Sequence, residues 1–324
     1  MAEGMINVGL YGCNGHQLRA QLVNNPRARL VAVAAIDRSW LPPELREDRD
    51  IVEYPSLEEL LADRRVELVS LCSPRRRDQA RHAIRALESG RHVYAEKPCA
   101  MSEADLDAIL DTVRRTGRQF HEMAGTAFEQ PFLAMRNIVA GGALGTIVQV
   151  LAQKSYPYHD GRPQDEDIDG GLILQAGVHA LRMIEHVAGV RVARIAAVET
   201  SLGNPRPGGL RMAATMMMTL ENGGVAAATA NYLNPRGFGR WGNETLRIFG
   251  TAGMIEATDG GTRTRLIIGD RDCGALDAAQ PPIDYFNAFV DTLLGRGRMP
   301  LSLDDELHPT RMVIRARESC RAAI

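Results

Sequence analysis

Lysine is almost missing from this chain: of 38 basic residues only Lys97 and Lys154 are lysine, and the other 36 are arginine. An arginine serves as well as a lysine on a solvated surface, but not where a compact ammonium must donate to one oxygen or change its protonation. The two exceptions therefore stand out. Cysteine pairing is missing too: Cys13, Cys72, Cys99, Cys273 and Cys320 are odd in number, scattered and without a C-x-x-C pair. That suits a reducing cytoplasm better than a disulfide framework. A charge surplus is absent, with a net charge of -2, so nothing favours a nucleic acid or another polyanion as partner. No apolar run approaches the roughly 18 residues of a membrane span, and the opening MAEGMINVGLYG lacks the layout of a signal peptide. A soluble cytoplasmic protein that meets no membrane is expected. Fixed-period repeats and low-complexity tracts are also absent, which leaves an ordinary globular chain.

At 324 residues the chain is about twice a typical domain length. The first third alternates short β-branched runs with helical segments, the grammar of a parallel sheet covered on both faces. Strands are expected at 6–11, 30–36, 68–72, 92–95 and 119–123, and helices at 16–24, from the Ser56/Glu59 capping box to about residue 62, at 78–88, and from the Ser102/Asp105 cap to Gly117. Past residue 124 longer strand-like stretches take over. The clearest is a hairpin of 211–220 and 225–232 across Glu221-Asn222-Gly223-Gly224, where Asn-Gly supplies positive φ. Met216-Met217-Met218 is apolar on both faces of that sheet, so helices are expected to cover one side and a partner subunit the other. Helices are also expected at 131–139, 177–187, 281–294 and 302–321. The reading is an α/β chain of two domains, 1–123 and 124–324, whose last helices can pack back on the first domain; such chains place their site between the domains.

The turn after the first strand reads Gly12-Cys13-Asn14-Gly15-His16-Gln17. A dinucleotide fingerprint, G-x-G-x-x-G, uses its glycines in turn for a tight bend, for backbone approach to the pyrophosphate and for close helix packing. Only the first is kept here; Asn14 and Gln17 hold the other places and Gly15 is additional. Asparagine tolerates left-handed backbone, and a helix beginning at His16 would still offer amides to phosphate. Asp37, about twenty residues on, is placed to bond ribose hydroxyls; the plain alternative is a generic βαβ turn with a surface aspartate. Arg38 beside it could instead meet a 2′-phosphate, so NAD is favoured over NADP only mildly.

Residues 88–101, ESGRHVYAEKPCAM, resemble the signature of the glucose-fructose oxidoreductase / inositol dehydrogenase (Gfo/Idh/MocA) family, in which G-[KR]-H-V leads into Glu-Lys-Pro. The resemblance continues through Ser56 to Pro74, through the G-x-L-G-x-I pattern starting at Gly142, through Gly170-Gly171 to His179, and through LRIFGTAGMIE from Leu246. It implies an N-terminal Rossmann doubly wound parallel sheet and a C-terminal α+β domain with a large, mostly antiparallel open sheet. It also implies that Ser73, Pro74, Glu96 and Lys97 join the turn, Asp37 and Arg38 around the cofactor. Lys97 would project toward the nicotinamide and substrate, and His179 would be the general base.

Two positions depart from the family pattern. The aspartate four residues before the histidine is Gln175, and the one three residues after it is Arg182. A carboxylate would raise the histidine pKa, whereas an amide only orients the ring, so Gln175 is expected to orient His179 and touch substrate. Carboxylates of the 165–169 loop are alternative proton carriers, or simply solvated. Lys154 and His159, at the end of the second domain's first strand, are candidates to bind a hydroxylated or carboxylated substrate, with a solvated loop lysine as the plain reading. Cys13, Cys72 and Cys99 lack metal-ligand spacing and read as small apolar fillers, with no metal expected. The expected activity is hydride transfer between NAD or NADP and a secondary alcohol carbon of a sugar, cyclitol or related polyol. Its alternatives are a lyase or glycosidase using transient oxidation by held NAD, and a non-catalytic nucleotide-binding sensor. A homodimer or homotetramer through the C-terminal sheet is expected.

Overall fold

The computed structural model describes residues 4–123 and 125–322. Ala124, where the sequence grammar changes, and the first three residues lie outside that set. The chain divides into two compact units: one holds the residues up to Met123 with Asp167–Asp169 and Asp284–Asp304, the other the residues from 125 to Glu166, Gly170–Ile283 and those from Asp305 onward.

The first unit is built on six strands, β1 (Ile6–Tyr11), β2 (Ala28–Ala34), β3 (Val52–Tyr54), β4 (Leu68–Leu71), β5 (His92–Ala95) and β6 (Phe120–Glu122). All pair in parallel, in the order β3-β2-β1-β4-β5-β6. Every residue of β4 is buried, as a strand covered on both faces requires. Strand order reverses between β1 and β4, and ligands of such sheets sit outside the carboxyl ends at that point. Those ends carry Gly12, Cys72 and Glu96. Ser56 Oγ accepts the Glu59 amide at 3.2 Å to open the helix Leu57–Ala62, and Gly117, at φ 65°, closes Glu103–Thr116. The helix Tyr285–Leu293 also belongs to this unit, with Phe286 and Phe289 against Tyr94 at 5.6 and 5.9 Å. It starts later than its two prolines suggest, at the Asp284 cap.

The helix expected over 16–24 is not there; residues 18–24 form successive turns. Gln17, at the third fingerprint position, explains the difference. Its buried amide enters the sheet, donating to Gly12 O at 2.8 Å and to Ser70 O at 3.3 Å and accepting from Ser70 Oγ. A glycine there lets a helix close onto the strand; a glutamine between the two holds it off.

The second unit carries eight strands, β7 (Ile147–Ser155), β8 (Val192–Thr200), β9 (Ala213–Leu220), β10 (Val225–Asn231), β11 (Asn243–Gly250), β12 (Gly253–Thr258), β13 (Arg263–Ile268) and β14 (Arg271–Gly274). Their order is β14-β13-β12-β11-β7-β10-β9-β8, antiparallel except for β7 with β10. The β9/β10 hairpin turns as expected, but only Gly223 takes positive φ, at 87°. Asn222 acts through its side chain, which accepts the Gly224 amide at 3.0 Å and donates to Ile147 O at 2.8 Å. Met216 and Met218 are buried while Met217 is 68% exposed on the other face. The helix expected over 177–187 begins earlier, at Ile173, and is wound in three parts: π over Ile173–Gly177, α over Val178–Arg182 and π over Met183–Val187. Gly177 lets it lie on the sheet, since a Cβ there would stand 3.2 Å from Met216 Cε.

Candidate functional site

Two glycines of the turn after β1 are dictated by contact. Gly12, at φ 69°, has Cys72 O where a Cβ would come to 2.1 Å. Gly15, at φ 120°, is pressed by Glu96, whose Oε2 would lie 2.5 Å from a Cβ. The additional glycine is therefore coupled to the Glu-Lys-Pro segment. Glu96 is 1% exposed; its Oε2 accepts the His16 amide and lies 2.9 Å from His16 Nδ1, and its Oε1 accepts the Lys97 amide at 2.9 Å. Burial alone would raise its pKa, but the His16 hydrogen bond and the charges of His16, Lys97 and Arg76 outweigh burial and hold the carboxyl well below the usual range. Lys97, 3% exposed, follows at the carboxyl end of β5.

The turn's amides are mostly engaged within the chain: Asn14 N to Cys72 O at 3.3 Å, Gly15 N to Cys13 O at 3.0 Å, Gln17 N to Gly15 O at 3.2 Å, and His16 N to Glu96. With no helix behind them, the helix N-terminus expected to meet phosphate is absent. Gln17, expected to touch the cofactor, has its side chain in the sheet instead. Positive charge stands nearby. Buried Arg76 donates from Nη2 to Asn14 O at 2.6 Å, while its Nε and Nη1 find no hydrogen-bond partner among the described residues. A buried cation with uncommitted donors beside this turn fits an anionic diphosphate, so the residues suit a dinucleotide more by charge than by amide count. The Arg75-Arg76-Arg77 run at a strand end was the signal for it in the sequence.

Asp37, exposed beyond β2, accepts the Ser39 amide at 2.8 Å, and that hydrogen bond lowers its pKa. The Arg38 guanidinium is engaged within the chain: Nε and Nη1 donate to Arg46 O and Ile51 O, both at 3.0 Å, and Nη2 donates to Asp48 O. Its guanidinium builds the 46–51 loop. Ser73 is fixed through its amide by Gln79 Oε1 at 2.9 Å and has its Oγ 2.9 Å from His82 Nδ1; Pro74 O accepts from Asn14 Nδ2 at 3.3 Å. Gln79 Nε2 also reaches Glu96 O at 2.7 Å, joining the ends of β4 and β5. The acidic stretch expected as a loop is a short helix over Glu166–Asp169, in which Asp167 pairs with Arg77 at 2.9 Å. Cys72 and Cys99 are buried and Cys13 half-buried, and burial pushes the Cys72 thiol up.

In the second unit His179 rides on Val178–Arg182, with Nδ1 3.0 Å from Thr126 Oγ1 and its ring edge-on to Tyr156 at 6.4 Å. Thr126 thus bears on the orientation of this imidazole, a role expected of Gln175. Gln175 Oε1 accepts the Tyr232 hydroxyl at 3.2 Å. Lys154 and Glu244 face each other across β7 and β11 and form an ion pair, both largely buried. Burial would lower the Lys154 pKa, but Tyr156 and Glu244 outweigh it and the ammonium is held above its ordinary value. Lys154 is thus not a solvated loop cation, and its charge is already matched, which weakens the case for a carboxylated substrate. His159 stacks near Trp241 at 5.7 Å, its pKa lowered by burial and by Arg162. Thr126, Tyr232 and Trp241 carried no motif. Among the described residues no group of three or more His, Cys, Asp or Glu is placed to hold a metal, and no helix is long and apolar enough to cross a membrane.

A parallel sheet in this order, a glycine turn at its switch point and a buried lysine at a strand end define a dinucleotide-binding oxidoreductase fold. The chain belongs to the Gfo/Idh/MocA oxidoreductase family: residues 6–123 match the oxidoreductase family's NAD-binding Rossmann fold and residues 132–256 the GFO/IDH/MocA C-terminal domain. It is 27% identical to trans-1,2-dihydrobenzene-1,2-diol dehydrogenase of Bos taurus over 79% of this chain and 73% of that one. It is 31% identical to D-glucoside 3-dehydrogenase of Escherichia coli, over 38% of this chain and 36% of that one. A solved structure from Thermotoga maritima superposes with a TM-score of 0.87 at 25% identity, covering 98% of this chain and 99% of the other.

Proposed function

We propose that the protein is an NAD-dependent dehydrogenase acting on a secondary alcohol carbon of a sugar, cyclitol or related polyol. The observation that carries this reading is Lys97: one of two lysines in the chain, buried, at the carboxyl end of a parallel strand and bonded through its amide to Glu96. Two relatives whose names denote a glucoside dehydrogenase and a diol dehydrogenase support a ring hydroxyl as the reacting group. NAD is preferred over NADP because Arg38 and Arg46, the cations next to Asp37, donate to main-chain carbonyls, and Asp37 is left as a carboxylate suited to ribose hydroxyls.

Arg76, Asp37, Asn14 and Ser73 would hold the dinucleotide. Bound nicotinamide supplies the hydride acceptor or donor. The Lys97 ammonium donates to the substrate oxygen, stabilising it as the hydroxyl proton leaves, and His179 Nε2 takes that proton. Thr126 fixes the opposite ring nitrogen, and Gln175, steadied by Tyr232, orients the substrate. Such acid-base assistance contributes about two to four powers of ten in rate. We also propose that a second copy of the chain covers the open face of the eight-stranded sheet. Fluorescence titration with NADH and NADPH, followed by an absorbance screen of polyols with NAD⁺ and NADP⁺, tests the activity. Tighter NADH binding with net reduction by a cyclic polyol is expected. Binding without net reduction across a broad panel would overturn it in favour of transient oxidation or sensing.

A further inference from the structure

The second unit carries an aromatic track from His179 to an exposed indole. Tyr156 stands edge-on to His179 at 6.4 Å, Trp241 lies 6.2 Å beyond Tyr156 at 42°, and His159 lies 5.7 Å from Trp241 at 37°. Trp241 is 57% exposed. Its loop is nonetheless fixed, because buried Asn234 donates from Nδ2 to Arg240 O at 3.0 Å and to Trp241 O at 3.2 Å. Beneath the track the Lys154 ammonium sits 4.8 Å from the Tyr156 ring, paired with Glu244. The other tryptophan, Trp40, has the Arg19 guanidinium over its ring at 5.6 Å, a local use of the side chain that Trp241 does not share.

A rigidly held, half-open indole is a poor surface residue unless something flat covers it. Its sequence neighbours Gly239, Arg240, Gly242, Asn243 and Glu244 are small or polar, and Leu233, next to the Asn234 that holds the loop, is 55% exposed. Lys154 is charge-matched by Glu244, and the buried Arg162 guanidinium stands 5.9 Å from the Tyr156 ring. A sugar ring answers this description, with one face of C–H bonds for the indole and hydroxyls at its rim for polar side chains. Trp241 connects to His179 through Tyr156, which sets it one ring away from the reacting one.

We propose that Trp241, flanked by His159, is a stacking platform for a second, non-reacting ring, and that the substrate is a disaccharide or a glycoside whose aglycone is itself a ring, rather than a one-ring sugar. This rests on the dehydrogenase reading and specifies its substrate class. Binding energy from a remote ring can be used to position the reacting one.

A Trp40→Phe variant, in which Trp241 is the remaining tryptophan, is saturated with NADH and titrated with methyl glycosides of glucose, galactose and xylose and with matching disaccharides. At least one disaccharide is expected to shift or quench the emission at concentrations where its methyl glycoside does not. With NAD⁺, Trp241→Ala is expected to raise KM for that disaccharide about tenfold, the size of one lost aromatic contact, and to leave KM for the monosaccharide within about twofold. Trp241→Phe should restore most of the loss. Disaccharide quenching without any NAD⁺ reduction would uphold the platform and overturn the dehydrogenase reading. Turnover of sugars with no emission change, or an equal effect of Trp241→Ala on one-ring and two-ring substrates, would overturn the platform and leave the dehydrogenase reading standing. Neither quenching nor turnover would overturn both.

Discussion

Lys97 and Gly15 answer to the same neighbour. Glu96 accepts the amides of Lys97 and His16, and its carboxylate fills the space where any side chain at position 15 would stand. Gly15→Ala would have to adopt φ near 120° and displace a buried, charged group. We expect a loss of about 2 to 4 kcal/mol in urea denaturation; wild-type stability in that variant would show that the Glu96 contact is dispensable. Lys97→Arg probes the reacting end of the same segment. A guanidinium keeps the charge but presents a planar fork in place of a compact donor, so kcat should fall by about two powers of ten or more while the dissociation constant for NADH changes little. An active Lys97→Arg enzyme would reduce the scarcity of lysine to an accident of composition. At this scale Lys97 was readable because Glu-Lys-Pro is a motif. Glu96's hold on the turn was not, because positions 15 and 96 are brought together only by the β1-β4-β5 strand order.

Elements whose boundaries are set locally matched the sequence: the Ser56 and Ser102 caps, the Gly117 stop and the strands β1, β4 and β5. Those set by tertiary contact did not. The helix over 16–24 yields to Gln17, whose amide satisfies strand carbonyls, and the segment from Ile173 to Val187 is wound wider than its periodicity shows. That second segment carries His186, buried and donating from Nε2 toward Asp305 O at 2.9 Å. Burial, reinforced by Arg182 and Arg136, brings its pKa down to about 3. His92 in β5 is similar: burial and Arg118 bring it to about 4, and its Nδ1 accepts the Gln119 amide at 2.9 Å, which requires the neutral ring. Between pH 6.5 and these values the unfolded chain binds protons that the folded chain does not, so stability rises with pH in that window. Folding should therefore weaken by about 1.4 kcal/mol per pH unit for each histidine as pH falls from 6.5 toward 4. Urea midpoints from pH 7.5 to 4.5 should show this, and His92→Gln and His186→Gln should each flatten the slope. An unchanged slope in both variants would place the acid sensitivity elsewhere.

At the scale of the whole molecule, one face of the eight-stranded sheet leaves apolar side chains exposed among the described residues. The strand registers align Ala196, Met217, Ala227 and Leu151 in one row across β8, β9, β10 and β7. Val198, 67% exposed, stands in the next row opposite Thr215, and Met217 is 68% exposed. Beyond Leu151 the row ends at Arg247, which pairs with Glu256 on β12 with Nε 2.6 Å from Oε2, giving an apolar centre bounded by a matched ion pair. An apolar centre with a polar rim is the composition of a subunit interface, and a chain with a net charge of only -2 has little self-repulsion to keep copies apart. Light scattering behind a sizing column should therefore give a dimer or tetramer for the wild-type protein. A Val198→Asp/Met217→Asp double variant should run as a monomer with an unchanged circular dichroism spectrum, since both side chains point away from the core. The exposure of these two residues makes the substitutions cheap for the fold and costly for association, because two buried carboxylates on each side of the contact would face one another unpaired. A wild-type monomer at micromolar concentration would mean that the apolar row stays in water.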